Sequence, residues 1–184
     1  PAACKVPMSH GECLSTLKVM GVPYEVVPAD SAPGVETPVR ITGPVNGVSY
    51  VYGQPLVVDC LLAASLPSVS AVLREWDVTE VGILSAHRPE AIYSFHMFGL
   101  ALDVNWIKSD RWLRAMWIKS DFVETPEAAT CDATQAWGIG RDLVGIACDL
   151  WAERAMSTVI TPNYNKGHDN HFHLDVRPGD NRFF

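Results

Sequence analysis

With 184 residues, a formal net charge of −7 and 19% charged residues, the chain has the length of one domain with a sizeable core. The acidic balance, without a basic stripe, argues against a nucleic-acid partner. No apolar run reaches the roughly 20 residues of a membrane-spanning helix, because the longest, residues 56–66, contains Asp59 and is followed by Pro67. The chain starts at Pro1 rather than Met, so we expect that a leader has been removed or the terminus trimmed.

The five cysteines include no Cys-x-x-Cys pair, which argues against zinc-ribbon and thioredoxin-like sites. We expect two disulfides and one spare thiol in an exported protein. The favoured pairs are Cys13–Cys60, whose long loop is worth about 4 kcal/mol in the chain-entropy model, and Cys131–Cys148, worth about 3 kcal/mol. Cys4, near the terminus, is then the odd cysteine. Other pairings stay open, and Cys4–Cys13 is the first rival.

Residues 1–12, with two prolines and a glycine, predict an irregular N-terminal arm, and residues 13–184 predict a single domain without a dividing linker. Hydrophobic periodicity and breaker residues predict the elements of that domain. In chain order they are a helix at 13–20, a strand at 22–27, a hairpin of 37–42 and 48–52, a long helix at 56–76, strands at 78–84 and 100–107, a helix at 142–156, and strands at 157–161 and 171–176.

Turn and breaker residues carry several of these predictions. Asn46-Gly47 supplies the positive φ angles of a tight hairpin turn. Pro67 lies inside the long helix and predicts either a kink or two abutting helices. Residues 124–140 are rich in Pro, Thr and Gly and predict a loop.

The pentapeptide Trp-Ile-Lys-Ser-Asp occurs at residues 106–110 and again at 117–121. Two copies are too few for a solenoid, so we interpret the repeat as chance or an old local duplication. Trp106, Trp112 and Trp117 are candidates for the wall of a substrate groove, although core packing is the default expectation for at least two of them.

Two stretches far apart in the chain, Ser94–Asp103 and His168–His173, offer ligands for a metal. Neutral imidazole and carboxylate suit zinc, and three protein ligands with a water make a catalytic rather than a structural site. A lone His-x-His is usually chance or part of a solvated strand; its pairing with the earlier stretch is what favours a metal. We therefore expect a single α+β domain in which helices flank an antiparallel sheet that presents a zinc site.

The pattern Ser-x-His-x-x-Gly-x-Ala-x-Asp with a later His-x-His resembles the signature of the family that joins D-Ala-D-Ala metallopeptidases, lysostaphin-type enzymes and the hedgehog signalling domain. The resemblance implies that His96, Asp103 and His173 hold a zinc ion. Zinc with an open fourth position lowers the pKa of its water and polarises a carbonyl, so hydrolysis of a peptide or amide bond follows.

Several further histidines and one aspartate have candidate roles around this site. His171 is the candidate for managing protons beside the metal; the alternative is that it orients His173 or packs the strand. His168 is a candidate for fixing a tautomer or touching substrate. Asp175 lies on the same strand face as His173 and is expected to buttress the site. His10 is isolated and is expected at the surface.

Arg88 is the candidate for binding a carboxylate or carbonyl of the substrate, because a guanidinium makes bidentate contacts that lysine does not reproduce. The metallopeptidases of the family carry a Tyr-Arg-Ser-like stretch ahead of Ser-x-His, and residues 86–89 fall in that place. His87 stands where the family usually has Tyr.

A narrower resemblance is to bacterial extensin-like C-terminal domains, over about residues 13 to 176. The segments that carry it are 158–165, 168–175, 13–22, 37–40 and 59–60. Many members read Ser-Tyr-Ser-Cys-Arg before the site, whereas this chain has Leu-Ser-Ala-His-Arg at residues 84–88. That cysteine is absent here, so its disulfide must differ or be missing.

The resemblance implies a zinc peptidase that acts on peptidoglycan stem peptides or cross-links, in the periplasm or after secretion. The bond cleaved stays open between a carboxypeptidase and an endopeptidase cut, as do the oligomeric state and whether the target is the producer's own wall or a competitor's. The alternative is a non-catalytic zinc-containing module that binds cell wall or protein, and the least specific option is a structural domain with vestigial histidines.

Overall fold

The computed structural model of the protein describes residues 9–122, 131, 139–177 and 182–184. Within these ranges the helices are α1 (His10–Val19), α2 (Cys60–Glu75), α3 (Ile118–Asp121) and α4 (Ile139–Ala152). The strands are β1 (Tyr24–Val26), β2 (Pro38–Ile41), β3 (Ser49–Val51), β4 (Val57–Asp59), β5 (Val78–Ser85), β6 (Ala101–Ser109), β7 (Met116–Trp117), β8 (Thr158–Ile160), β9 (Phe172–Asp175) and β10 (Arg182–Phe183).

The strands form two sheets. A seven-stranded sheet has the order β10-β8-β9-β6-β5-β3, with β7 paired to β6, and a small sheet has the order β1-β2-β4. The prediction of a single small α+β domain is confirmed, but the prediction of an antiparallel sheet is wrong at both outer pairs, where β3 runs parallel to β5 and β10 runs parallel to β8. The chain passes through β4 and α2 between β3 and β5, and a crossover of that kind is what a parallel pair requires.

The predicted turn of the hairpin is confirmed, but the predicted pairing of its two strands is wrong. Asn46 and Gly47 have φ angles of 46° and 80°, and Val45 bridges Val48 across them. The flanking strands then separate, because β2 pairs with β1 and β4 in the small sheet while β3 joins β5 in the large one. In β2, Val39 lies opposite Val58 of β4 and both are fully buried, which holds that strand in the small sheet.

The long helix predicted at 56–76 is β4 followed directly by α2. Asp59 is the N-cap of α2, where its Oδ1 accepts a hydrogen bond of 2.8 Å from the Leu61 N–H. The expectation of two abutting helices is wrong, since α2 runs as one helix through Pro67; a kink there stays a prediction. The other long helix, α4, begins at Ile139, three residues before the predicted start at Asp142.

Both predicted disulfides are confirmed. Cys13 bonds to Cys60 and so ties α1 to the start of α2, and Cys131 bonds to Cys148 within α4. Cys4, the expected spare thiol, lies outside the described residues, as does most of the loop predicted at 124–140. Two disulfides fit an extracellular protein. Across the described ranges, we find no helix with the length and apolarity needed to cross a membrane.

The prediction of an irregular arm over residues 1–12 is wrong at its end, because α1 begins at His10 rather than at Cys13. His10 is also not the isolated surface residue expected from the sequence. Its imidazole is half-buried, with Nδ1 3.2 Å from Glu36 Oε2 and Nε2 3.3 Å from Asp59 Oδ1.

The large sheet has one face on the core and one face toward the site. The core face packs against α2, α4 and the segment after α4. The apolar side chains that meet there come from both the helices and the strands: Leu66, Val69, Leu73, Val81, Leu102, Val104, Ile107, Leu150, Met156, Phe172 and Leu174. Phe172 is 1% exposed, and full burial of such a side chain stabilises a fold by about 2–3 kcal/mol. The central strands are thereby fixed, and the residues between these apolar ones, Asp103 and His173 among them, point to the other face.

Candidate metal centre

Asp103 and His173 are brought together by strand register. The two residues are directly opposite each other in the antiparallel pair of β6 and β9, so their side chains project from the same face. His173 Nδ1 lies 2.9 Å from Asp103 Oδ1, and both side chains are buried. The prediction that these two distant motifs share one site is consistent with this geometry.

His96 reaches the same carboxylate from a 3-10 turn, Phe95–Phe98, that precedes β6. Ser94 is the N-cap of the turn, and its Oγ accepts from the His96 N–H at 3.3 Å. Gly99 ends the turn with a φ of 66°, and a Cβ at Gly99 would stand only 2.8 Å from the Asp59 backbone nitrogen, so glycine is required for the close approach. His96 Nε2 lies 3.1 Å from Asp103 Oδ1.

The outer nitrogens of both imidazoles have partners that fix the tautomers. His96 Nδ1 lies 2.6 Å from the carbonyl oxygen of Ala86, which can only accept, so Nδ1 carries the proton. His173 Nε2 lies 3.2 Å from Asp175 Oδ2, the contact expected from their shared strand face. The inner nitrogens, Nε2 of His96 and Nδ1 of His173, are thus turned toward Asp103: in the neutral rings they are lone-pair donors for a metal, and in the protonated rings they donate hydrogen bonds to the Asp103 carboxylate.

Asp175 is itself held by Arg177, which the sequence analysis did not single out. Arg177 Nη2 donates to Asp175 Oδ2 at 3.1 Å, and its guanidinium lies over the Phe95 ring at 4.2 Å. Arg177 lies two residues beyond Asp175, just after the end of β9, and this spacing was the signal that could have revealed it.

The charged contacts within the site shift the pKa values of Asp103 and His173 in opposite directions. Burial by itself would raise the pKa of Asp103, but the hydrogen bonds from His173 and His96 and the positive charge of nearby imidazoles outweigh it and hold the pKa well below its usual range. Burial lowers the pKa of His173, whereas its hydrogen bonds to Asp103 and Asp175 raise it more strongly, to about 9. An imidazole with both nitrogens facing carboxylates needs a cation between them, either a proton or a metal.

The donor set fits a zinc ion. One ligand atom from each of His96, Asp103 and His173 can be chosen so that all lie within 4.8 Å of one another, and all three residues are buried. Two imidazole nitrogens and a carboxylate oxygen are a ligand set typical of catalytic zinc. Without a cation, two lone pairs would face the same carboxylate oxygen, which is unfavourable in a buried site. These three residues are the ones predicted as ligands.

His171 lies immediately before β9 and also points toward the carboxylate. Its Nε2 is 3.5 Å from Asp103 Oδ1, farther than the corresponding nitrogens of His96 and His173, and its Nδ1 lies 2.7 Å from Asn170 Oδ1. Burial lowers the pKa of His171, although the negative charge of Asp103 opposes the shift. A neutral imidazole beside the candidate ligands is suited to accepting a proton at pH 7.

His168 is close to His171 but is turned toward a loop. Its Nδ1 lies 2.9 Å from Asn165 Oδ1, and its ring centroid is 5.1 Å from that of His171 and 6.0 Å from that of His173. Burial and then the charge of His171 lower the pKa of His168. His168 therefore packs beside His171, the predicted proton-managing residue, rather than against the carboxylate of Asp103.

A groove of about 810 Å³ opens over these residues. Arg88 lines it, with its backbone N–H on the His96 carbonyl at 3.0 Å, its guanidinium 3.9 Å from Asp103 Oδ2 and 44% of its side chain exposed. His87, which replaces the usual Tyr of the resemblance, binds the Pro33 carbonyl through Nε2 at 2.9 Å. Six further polar residues line the groove and had no individual role assigned from the sequence: Tyr52, Gln54, Ser85, Glu90, Ser94 and Asn170.

The tryptophan candidates lie elsewhere. Trp112 packs against the core and donates from Nε1 to Asp142 Oδ2 at 2.8 Å. Trp106 lies over Gly82, and its ring centroid is 6.4 Å from that of Trp117. None of the three is among the described residues that line the groove.

Comparison of the chain with models of protein families found no match, and comparisons with curated proteins and with solved structures found none either.

Proposed function

We propose that the protein is a zinc-dependent peptidase that hydrolyses peptide bonds of bacterial peptidoglycan, in stem peptides or cross-links, in the periplasm or after secretion. The observation that carries this proposal is the convergence of His96, Asp103 and His173 on one point at the floor of an open groove, with the outer nitrogen of each imidazole already bonded. The peptidoglycan substrate comes from the resemblance of the two motifs to zinc peptidases and extensin-like domains.

Three side chains would hold the ion: His96 through Nε2, His173 through Nδ1, and Asp103 through a carboxylate oxygen. A zinc ion held this way supplies a Lewis acid for the peptide carbonyl and a water that ionises near neutral pH. The bonds from Ala86 and Asp175 to the two rings keep the donating nitrogens aimed at the ion, which is the usual role of such outer partners.

His171 is the proposed general base and acid. As water adds to the peptide carbonyl carbon, Nε2 of His171 accepts one of its protons, and the same nitrogen returns a proton to the leaving amine as the C–N bond breaks. Its position supports this role, because Nε2 faces the candidate ligands while Nδ1 is bonded to Asn170. His168, packed beside that ring, would restrict its orientation.

Arg88 is the proposed binding residue for a carbonyl or carboxylate of the substrate. Its guanidinium reaches the groove beside Asp103, and its position is fixed by the backbone bond to the His96 carbonyl. The wide groove also supports a peptide or glycopeptide substrate rather than a small, fully enclosed molecule.

The test is incubation of purified protein with muropeptides, with and without a chelator, followed by separation of the products. We expect new peptide fragments that are lost on chelation and restored by added zinc. His96→Ala should form no product, whereas His10→Gln, a histidine far in sequence from the candidate ligands, should keep its activity. Product that persists in metal-free protein would contradict the zinc mechanism, and zinc-loaded protein that yields no product would favour a binding module.

A further inference from the structure

Ser85 is the last residue of β5 and lies directly beside Asp103 in the β5–β6 pair. The register shifts between Ile83 and Ser85, so Leu84 is an extra residue in β5 at this point. Bulges of this kind re-aim a side chain at the edge of a site. Ser85 and Leu84 both line the groove as a result, on the side of Asp103 opposite to His173.

The hydroxyl of Ser85 is buried and unpaired. Ser85 is 7% exposed, and its Oγ has no hydrogen-bond partner among the described residues. A buried hydroxyl without a partner is costly, and most such groups in proteins are bonded. Neighbouring polar groups are already engaged: Asp103 Oδ1 faces the imidazoles, and Oδ2 lies on the side of Arg88. Ser85 itself lines the groove, so a ligand bound there, rather than another protein group, is the available partner for this hydroxyl.

The chemistry of the groove identifies the partner. A hydroxyl can donate or accept, whereas the guanidinium of Arg88 only donates. A carbonyl or carboxylate oxygen has two lone pairs and can therefore accept from both groups at once. A protonated amine would be repelled by Arg88 and a neutral donor would find no acceptor on it, so an oxygen acceptor is the favoured ligand beside Arg88.

We propose that Ser85 is a positioning residue for the ligand: its hydroxyl donates a hydrogen bond to a carbonyl or carboxylate oxygen of the peptide bound in the groove, next to Arg88. This inference rests on the proposed function for the identity of the peptide. It assigns Ser85 a role in holding substrate and none in holding the metal.

The test combines three measurements on Ser85→Ala: affinity for a disaccharide tetrapeptide by calorimetry, zinc affinity by chelator competition, and melting temperature without ligand. We expect the affinity for the glycopeptide to fall about tenfold, since one hydrogen bond to the ligand is lost. Zinc affinity should stay within twofold of the wild type. The melting temperature should not fall, because the hydroxyl removed has no hydrogen-bond partner to lose in the described part of the chain.

The matched control is Ser109→Ala, on β6. The Ser109 hydroxyl is also buried but has partners, donating to the Trp76 carbonyl at 2.7 Å and accepting from the Arg111 N–H at 3.1 Å. This variant should show the reverse pattern, with a lower melting temperature and unchanged glycopeptide affinity. Ser85→Thr, which keeps the hydroxyl, should retain most of the affinity, and Ser85→Cys provides a near-isosteric variant if the alanine variant does not fold.

Two results would overturn the inference. One is glycopeptide affinity that is unchanged in Ser85→Ala and Ser85→Cys; the other is a tenfold loss of zinc affinity, which would make Ser85 a support of Asp103. Failure of the peptidase proposal looks different: the wild type would bind the glycopeptide and lose affinity on substitution of Ser85, yet release no product. Wild-type protein that binds no glycopeptide would refute both.

Discussion

Asp175→Asn is the substitution that best isolates the support behind the candidate metal ligands. Asp175 is fully buried, and its Oδ2 takes both the His173 Nε2 contact at 3.2 Å and the Arg177 hydrogen bond at 3.1 Å. Asparagine keeps the shape and one oxygen but removes the negative charge that both partners face. His173 then becomes a weaker and less well oriented donor.

Loss of an outer carboxylate of this kind typically costs 10–100-fold in metal affinity, or about 1.4–2.7 kcal/mol. We expect the zinc affinity of Asp175→Asn to fall within that range. The free energy of unfolding of the metal-free protein should also fall, by about 2–3 kcal/mol, because Arg177 and His173 lose a buried charged partner.

Chelator competition measures the zinc affinity, and urea unfolding measures the stability. Asp149→Asn is the matched control, since Asp149 Oδ2 accepts from Trp76 Nε1 at 2.8 Å on α4, away from the candidate ligands. That variant should bind zinc as the wild type does. If Asp175→Asn also binds zinc within twofold of the wild type, the reasoning that Asp175 orients His173 is refuted.

Three further predictions concern proton transfer, pH and the cysteines. His171→Ala should keep its zinc but lose about 10²-fold in turnover; full activity with metal in place would leave His171 as a packing residue only. The pKa of His173 is raised to about 9 in the metal-free protein, above the ordinary value near 6.5. The contribution of His173 to stability is therefore complete below about pH 6.5 and is lost as the pH rises through 9. The urea midpoint of the metal-free protein should fall over that window. A midpoint that is equally pH-dependent in His173→Gln would contradict the assignment of this pKa to His173. Titration of the denatured, non-reduced protein should find about one free thiol per chain. Five free thiols per chain would contradict the expectation of an exported, disulfide-bonded protein.

The repeated pentapeptide shows why local sequence was an incomplete guide to the fold. Residues 106–110 lie mainly in β6, whereas the identical residues 117–121 begin at the end of β7 and form α3. Ile107 is buried between β5 and β7, while Ile118 is buried in a helical turn whose Asp121 accepts from Arg114 and from the Trp117 N–H. Packing partners far in sequence decided between strand and helix, as tertiary context commonly does.

The hairpin error has the same origin. The turn at Asn46-Gly47 is decided by the backbone preferences of two residues and was predictable. The pairing of the strands on either side depends on which sheet has an edge available, and that information is spread over β1, β4 and β5.

The candidate ligand set of His96, Asp103 and His173 came from the resemblance of two sequence motifs to the zinc-peptidase family, and the structure brings those three residues together. The two disulfide pairs were favoured from the sequence while other pairings stayed open, and the structure contains both favoured pairs. Arg177 and Ser85 were missed for different reasons. Arg177 is one of many arginines until Asp175 is known to be buried, and Ser85 acquires its position only through a bulge in β5 that no local pattern announces.

The most direct test of the proposed function is the hydrolysis rate of muropeptides measured while zinc is added stepwise to metal-free protein. The account predicts a rate that rises in proportion to zinc, levels off at one equivalent per chain, and stays at zero throughout for His173→Ala. A rate that does not depend on zinc, or that rises equally in the variant, would contradict the assignment of His96, Asp103 and His173 as the catalytic metal site.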